Sequence, residues 1–197
     1  EAADSLYDDL VTQAIDHAWQ AFSAEGAITR ADCLATEQLL APLADKAKAL
    51  TLICVGHAHI DMNWMWSYDE TVSVTLETFR TMLDLMDEYP DYTYAQSQAS
   101  VYEIVANHDP DMLERIRERV REGRWEVTAS TWVEADRNMP NAESMARHFL
   151  YTRHYLADLL QIDPASLDLD YEPDTFGPHQ NVAEIVRAAG VHYYFHS

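Results

Sequence analysis

The sequence predicts an α/β fold built on parallel strands, and three features of the chain support this prediction. Short apolar runs typical of strands alternate with amphipathic helical stretches over residues 51–195, an order that favours parallel pairing through right-handed crossovers. Polar clusters directly follow several of these runs, as expected where ligands bind at the carboxyl ends of parallel strands. The first fifty residues differ, because they show helical spacing without strand-like runs.

The chain therefore begins with a helical lead-in over residues 1–50. Apolar residues recur at helical spacing over residues 6–22, and a second helical stretch covers about residues 30–50. The apolar run at residues 51–55 then predicts the first strand, with Cys54 as a small core residue inside it.

Helices and strands alternate along the remainder of the chain. The predicted helices cover residues 70–89, 101–108, 111–122, 141–160 and 180–189. The predicted strands cover residues 92–96, 123–130, 167–171 and 191–195. A sheet that stopped after the fifth strand would leave an edge and an apolar face open, so we expect residues 51–197 to be the front part of a larger domain.

Composition narrows the class of protein. The formal net charge of −21 argues against a nucleic acid or an anionic membrane as partner, because both repel an acidic surface. A hydrophobic content of 48% fits a globular rather than a disordered chain. No run approaches the length of a membrane span, and the acidic start is not a signal peptide. Cys33 and Cys54 form no disulfide framework, and we expect a cytoplasmic setting.

The motif HAHIDMNW, residues 57–64, follows the first predicted strand. Side chains two residues apart on an extended backbone point the same way, so His57, His59 and Asp61 could converge at the end of this strand. Imidazole nitrogen and carboxylate oxygen suit zinc, and catalytic zinc sites take about three protein ligands. Taken alone, the motif also fits polar loop residues that are simply hydrogen-bonded.

The motif YEPDTFG, residues 171–177, follows the fourth predicted strand. Pro173 restricts the backbone next to Asp174, and Gly177 permits a tight turn after it. Asp174 is therefore a candidate nucleophile, base or metal ligand. The alternative is that Asp174 belongs to the N-cap region of the next helix, where aspartate is common. A further acidic cluster, STWVEAD, follows the third predicted strand.

Together these motifs resemble the α-mannosidases of glycoside hydrolase family 38, bacterial type. The resemblance runs from about Thr51 to the C-terminus and includes STWVEADRNMPNAESMARHFLYTRHYL between HAHIDMNW and DTFG. It implies a parallel, seven-stranded type of β/α barrel-like catalytic domain, incomplete here, of which residues 51–197 form the N-terminal portion.

The resemblance also implies a zinc site and a nucleophile. The family's zinc ligands correspond to His59, Asp61 and Asp174, with one zinc ion (Zn2+) per active site and a further histidine ligand later in the family's sequence. Asp174 also matches the catalytic nucleophile. His57 belongs to the motif but is not carried over as a ligand. Pro178 departs from the family pattern, because many relatives have histidine at that position.

Four further residues are expected to contact the sugar. Trp64 matches an aromatic residue that lines the sugar subsite at the metal, and Phe176 matches a second aromatic beside it. Trp132 would offer another flat face, with core packing as the alternative. Asp136 would accept a hydrogen bond from a sugar hydroxyl, or else be a solvated loop acid.

The implied function is zinc-dependent retaining hydrolysis of α-mannosides or mannose-containing oligosaccharides. Asp174 would form a covalent glycosyl ester, and a second carboxyl group would protonate the leaving oxygen. The family's acid/base residue lies beyond Ser197, so we expect this chain alone to be inactive. We also expect the full-length enzyme to be a homo-oligomer. Two alternatives are a zinc deacetylase or amidohydrolase-like enzyme that uses metal-bound water, and a non-catalytic carbohydrate-binding fragment.

Overall fold

The computed structural model describes residues 2–197, with side chains from Tyr7 onward. The chain divides into two compact units, Glu1–Cys54 and Val55–Ser197. Among the described helices, none combines the length and the hydropathy that crossing a membrane requires.

The first unit is helical, as predicted. Its helices are α1 (Ala2–Glu25), α2 (Arg30–Leu40) and α3 (Ala44–Lys48). A capping box begins α2, in which the side chain of Thr29 accepts from the Asp32 N–H and the Asp32 carboxylate accepts from the Thr29 N–H. The single helix predicted over residues 30–50 is interrupted by the 3-10 turn Ala41–Leu43, which contains Pro42.

The strand predicted over residues 51–55 is wrong. Strand β1 comprises Gly56–His57, after the apolar run instead of within it. Leu52 and Ile53 are 87% and 81% exposed, and Cys54 is an exposed free thiol rather than a core residue. Among the described residues, the parallel ladder to the next strand begins only at Gly56, so the apolar pattern has no partner with which to form a sheet.

The second unit alternates helices and parallel strands, as predicted. Its helices are α4 (Tyr68–Glu88), α5 (Ala99–His108), α6 (Pro110–Arg121), α7 (Ala142–Leu160) and α8 (Val182–Ala188). Its remaining strands are β2 (Tyr94–Gln96), β3 (Trp125–Val127), β4 (Leu169–Glu172) and β5 (Tyr193–His196). One parallel sheet has the order β1-β2-β3, and β4 pairs with β5 in a second parallel sheet.

The main core lies between the β1-β2-β3 sheet and the helices that follow its strands. The indole ring of Trp125 on β3 contacts Phe79 and Tyr94, with ring centroids 5.1 Å and 4.7 Å away. Its Nε1 donates to the hydroxyl oxygen of Tyr102 at 3.0 Å, so the one polar atom of the buried ring is satisfied. This aromatic packing holds the strands in place, and the polar loops begin where these strands end.

A buried ionic network connects β4 to the loop after β3. The guanidinium of Arg137 donates to Asp170 Oδ2 at 2.7 Å and to Glu172 Oε2 at 2.8 Å, and all three side chains are buried. The Ser130 hydroxyl donates to Asp170 Oδ1 at 2.9 Å. Side chains, rather than a backbone ladder, therefore join the two sheets at this position.

Candidate metal and substrate site

Polar side chains from three strand ends meet at one edge of the second unit. His59 and Asp61 follow β1, Glu134 follows β3, and Asp174 follows β4. All four line a cavity of about 310 Å³. A neighbouring cavity of about 410 Å³ shares His59, Asp61 and Glu134 and is also lined by Trp64.

The donor atoms of His59, Asp61 and Asp174 all lie within 4.8 Å of one another. His59 Nε2 is 3.2 Å from Asp61 Oδ1 and 3.5 Å from Asp174 Oδ2. The edge of a tetrahedral zinc shell with ligands at 2.0–2.1 Å is about 3.4 Å, so these separations match. One imidazole nitrogen and two carboxylate oxygens therefore fit zinc in chemistry, and the two separations from His59 Nε2 fit it in spacing.

Glu134 contacts this group from the third loop. Its Oε1 lies 2.9 Å from His59 Nδ1, and its Oε2 accepts the backbone N–H of Asp174 at 3.2 Å. Burial opposes charge on His59, but Glu134 and Asp61 outweigh it and raise the pKa of the imidazole above its ordinary value. Burial raises the pKa of Glu134, although His59 opposes this shift.

His57 is not part of the converging group. Its Nε2 lies 3.2 Å from the Ser97 hydroxyl, and its ring packs on Tyr171 with centroids 4.6 Å apart. Burial, with a smaller contribution from His59, lowers the pKa of His57 to about 4. The structure thus brings together two of the three candidate ligands of the HAHID motif.

Asp174 does not occupy the start of the following helix. That helix, α8, begins at Val182 with Asn181 in the N-cap position. Gly177 adopts a φ of 59°, a left-handed conformation that glycine accommodates, and its carbonyl accepts from Asn138 Nδ2 at 2.7 Å. The turn therefore leaves the Asp174 carboxylate facing the cavity instead of capping a helix.

The predicted sugar-contacting residues divide into two groups. Trp64 and Phe176 are 69% and 68% exposed and line the two cavities, and Asp136 lines the smaller one. Trp132 instead packs edge-on against Tyr155, with ring centroids 4.9 Å apart at the margin of the core. Three of the four residues therefore lie beside the candidate metal site.

Sequence reasoning gave no role to Gln98, which follows β2. Its Nε2 donates to the Ile60 carbonyl at 2.8 Å, and its Oε1 accepts the Glu134 N–H at 3.2 Å. Its φ of 66° is a conformation that residues other than glycine rarely adopt and that is typical of functional sites. The only signal in the sequence was a polar stretch directly after a predicted strand.

A larger cavity of about 470 Å³ lies between α7 and α8. Its lining is mostly apolar, includes Arg153, and contains no histidine or carboxylate among the described residues. It lacks the donors that metal binding or acid–base chemistry requires, so we assign the chemistry to the strand ends.

Comparison with protein families shows what the chain is similar to. Residues 49–197 match the family described as glycosyl hydrolases family 38 N-terminal domain. The chain is 36% identical over 137 residues to alpha-mannosidase G of Dictyostelium discoideum, which covers 70% of the chain and 12% of that protein. It is 34% identical over 141 residues to alpha-mannosidase 2C1 of Homo sapiens, which covers 72% of the chain and 13% of that protein.

A similar fold occurs in a solved structure, the crystal structure of an alpha-mannosidase from Enterococcus faecalis V583. The two superpose with a TM-score of 0.64 at 22% sequence identity, over 72% of this chain and 16% of that one. The chain thus spans about an eighth of the length of the curated relatives that it matches, 12% to 13%.

Proposed function

The chain belongs to glycosyl hydrolase family 38, and on this premise we propose that it supplies the zinc ligands and the nucleophile of a retaining α-mannosidase. The substrates would be α-mannosides or mannose-containing oligosaccharides. The observation that carries the proposal is the convergence of His59, Asp61 and Asp174 at the ends of β1 and β4. Relatives in which this part of the chain is similar are named alpha-mannosidases.

Zinc would be held by His59 Nε2 and by carboxylate oxygens of Asp61 and Asp174. When bound, it supplies a template that orients sugar hydroxyls next to the reacting carbon. The three side chains would determine where that sugar lies, because they line the cavity of about 310 Å³ beside Phe176. Trp64 would offer its exposed indole to the apolar face of the ring, and Asp136 would accept a hydrogen bond from a hydroxyl.

Asp174 would attack the anomeric carbon and form a glycosyl ester, which water then hydrolyses. Its backbone is fixed by the hydrogen bond to Glu134 and by the turn at Gly177, while its side chain stays 55% exposed and accessible to substrate. A retaining enzyme also needs a second carboxyl group about 5–5.5 Å from the nucleophile to protonate the leaving oxygen.

At the level of the fold, we propose that both parallel sheets belong to one barrel-like catalytic domain of the seven-stranded type. Residues 1–50 would be a helical lead-in and residues 51–197 the N-terminal portion of that domain. The parallel pairing within each sheet and the Arg137 network between the sheets support this proposal. We also propose a homo-oligomer in the cytoplasm, a reducing setting in which the free thiols of Cys33 and Cys54 would persist.

Covalent trapping tests the proposal. The full-length protein would be incubated with a fluorinated α-mannosyl fluoride that forms its glycosyl–enzyme quickly and releases it slowly, and labelled peptides would be identified by mass spectrometry. We expect the label on Asp174, its loss in Asp174→Asn, and normal labelling in Asp158→Asn, which alters an exposed carboxylate on α7. Turnover of α-mannosides without any label, or a label on another carboxylate, would refute the assignment of Asp174. Turnover without label would favour a mechanism that uses metal-bound water.

A further inference from the structure

Glu134 is a nearly buried carboxylate that contacts two of the three candidate ligands. Its side chain is only 8% exposed. One carboxylate oxygen pairs with His59 Nδ1 at 2.9 Å, and the other accepts the backbone N–H of Asp174 at 3.2 Å. A single side chain therefore connects the loop after β1 with the loop after β4.

The contact with His59 determines which ring nitrogen is available to a metal. An ionised carboxylate only accepts hydrogen bonds, so His59 Nδ1 must carry the proton that points at Glu134. Without a metal, Nε2 lies 3.2 Å from Asp61 Oδ1 and 3.5 Å from Asp174 Oδ2, and by the same rule it carries a proton toward Asp61. A metal at Nε2 would replace that proton, while Nδ1 keeps the proton that it donates to Glu134. Glu134 thus engages Nδ1, leaves Nε2 as the nitrogen available to a metal and fixes the ring orientation that the ligand set requires.

Glu134 is itself held in place from the loop after β2. Its backbone N–H donates to Gln98 Oε1 at 3.2 Å, and Gln98 Nε2 donates to the Ile60 carbonyl at 2.8 Å. The left-handed backbone of Gln98, with φ of 66°, is retained at an energetic cost at this position. Hydrogen bonds through Gln98 and Glu134 therefore link the loops after four successive strands.

We propose that Glu134 is a positioning residue that holds His59 and Asp174 in the geometry of the metal site. The inference rests on the proposed zinc function, and it assigns Glu134 no contact with the metal or the sugar. Removing its carboxylate would free the His59 ring to rotate and would release the Asp174 backbone. The consequence is weaker metal binding without the loss of any ligand.

Zinc affinity measured by competition with a chromophoric chelator tests this role. We expect Glu134→Ala to bind zinc about 10–100-fold more weakly, the usual cost of losing the partner of a ligating histidine. Glu134→Gln should be intermediate, because one amide oxygen accepts but the amide nitrogen only donates. Glu126→Ala is the matched control, since it removes an exposed glutamate from β3 and should leave the affinity unchanged.

A second readout does not depend on metal. Long-range ¹H–¹⁵N spectra of the metal-free protein labelled on histidine report which nitrogen of His59 carries the proton. We expect Nδ1 to carry a proton in the wild type, as Nε2 does toward Asp61, and Nδ1 to lose its proton more readily in Glu134→Ala. If that variant does not fold, as judged by circular dichroism, the spectra of Glu134→Gln and of the wild type still show whether Glu134 controls the protonation of His59 Nδ1.

Two outcomes would overturn the inference: a wild-type His59 whose Nδ1 carries no proton, or a folded Glu134→Ala protein whose zinc affinity equals that of the wild type. A wild-type protein that binds no zinc would instead refute the proposed metal site. In that case the protonation of His59 Nδ1 would still show whether Glu134 orients the ring.

Discussion

Asp174 combines two proposed roles in one carboxylate, whereas Asp61 has only one. We expect Asp174→Ala to abolish turnover of an aryl α-mannoside by the full-length protein, because the variant lacks both the nucleophile and a ligand. Asp61→Ala should retain more activity at saturating zinc, since the attacking oxygen is still present. Steady-state rates of the two variants are the measurement. Substantial activity in Asp174→Ala, with retention of anomeric configuration, would place the nucleophile elsewhere.

His148 supports the loop after β3 in its neutral form. Its Nε2 accepts the backbone N–H groups of Trp132 at 2.7 Å and Val133 at 3.2 Å, and burial lowers its pKa to about 4. The unfolded chain, with an imidazole pKa near 6.5, binds more protons between pH 6.5 and 4 than the folded chain does. The contribution of His148 to stability is therefore present above pH 6.5 and is lost as the pH falls toward 4.

We expect the free energy of unfolding of the wild type to fall by about 2 kcal/mol more than that of His148→Gln between pH 7 and pH 5. Urea denaturation at the two pH values measures the difference. Glutamine keeps an acceptor but does not titrate, so it isolates the histidine from the many carboxylates. Parallel pH profiles for the two proteins would mean that His148 is not kept neutral by burial.

Strand β4 depends on one side chain from outside its own sheet, the guanidinium of Arg137. Removing the Arg137 guanidinium would leave Asp170 and Glu172 as unpaired buried carboxylates. We expect Arg137→Met to reduce the free energy of unfolding by about 3–5 kcal/mol, the usual cost of breaking a buried ion pair from one side. Urea denaturation would measure this cost.

Arg147→Met, which removes an exposed pair with Glu143 on α7, is the control and should change the free energy of unfolding little. Equal effects of the two substitutions would argue against the network.

The helices were predictable from the sequence because their signals are local. The buried face of α4, with Thr71, Thr75, Phe79, Leu83 and Met86, repeats at the helical spacing that its sequence displays. The first strand was not predictable from residues 51–55, because a strand forms only where a neighbouring strand pairs with it. The contact between His59 and Glu134 spans 75 residues, so it depends on which strands lie side by side, and no local pattern contains that information.

The same distinction explains which site residues the sequence revealed. His59, Asp61 and Asp174 stand in compact motifs at strand ends, and the geometry brings their donor atoms together. Gln98 acts through hydrogen bonds to partners 36 and 38 residues away, and nothing in its own neighbourhood indicates those partners. Supporting residues of this kind become visible only when the loops are assembled.

For the whole Val55–Ser197 unit, the proposed metal would bridge the two sheets. His59 and Asp61 follow a strand of one sheet, and Asp174 follows a strand of the other. We expect zinc at 100 times its dissociation constant to raise the free energy of unfolding by about 2.7 kcal/mol. Urea denaturation with and without zinc measures the increment, which His59→Ala should lose and His154→Ala on the exposed face of α7 should keep. An equal increment in both variants would indicate that zinc binds at another place.

The exposed run at residues 50–55 has a consequence for the behaviour of the protein at high concentration. Its six residues, LTLICV, combine strong β propensity with the absence of charge and proline, and Leu50, Leu52 and Ile53 are each more than three-quarters exposed. This composition is the signature of segments that stack in register and seed amyloid-like fibrils. We expect Ile53→Lys to lengthen the lag before thioflavin fluorescence rises in concentrated protein, because like charges would then face one another along the stack. A lag unchanged by the added charge would mean that other segments nucleate the aggregate.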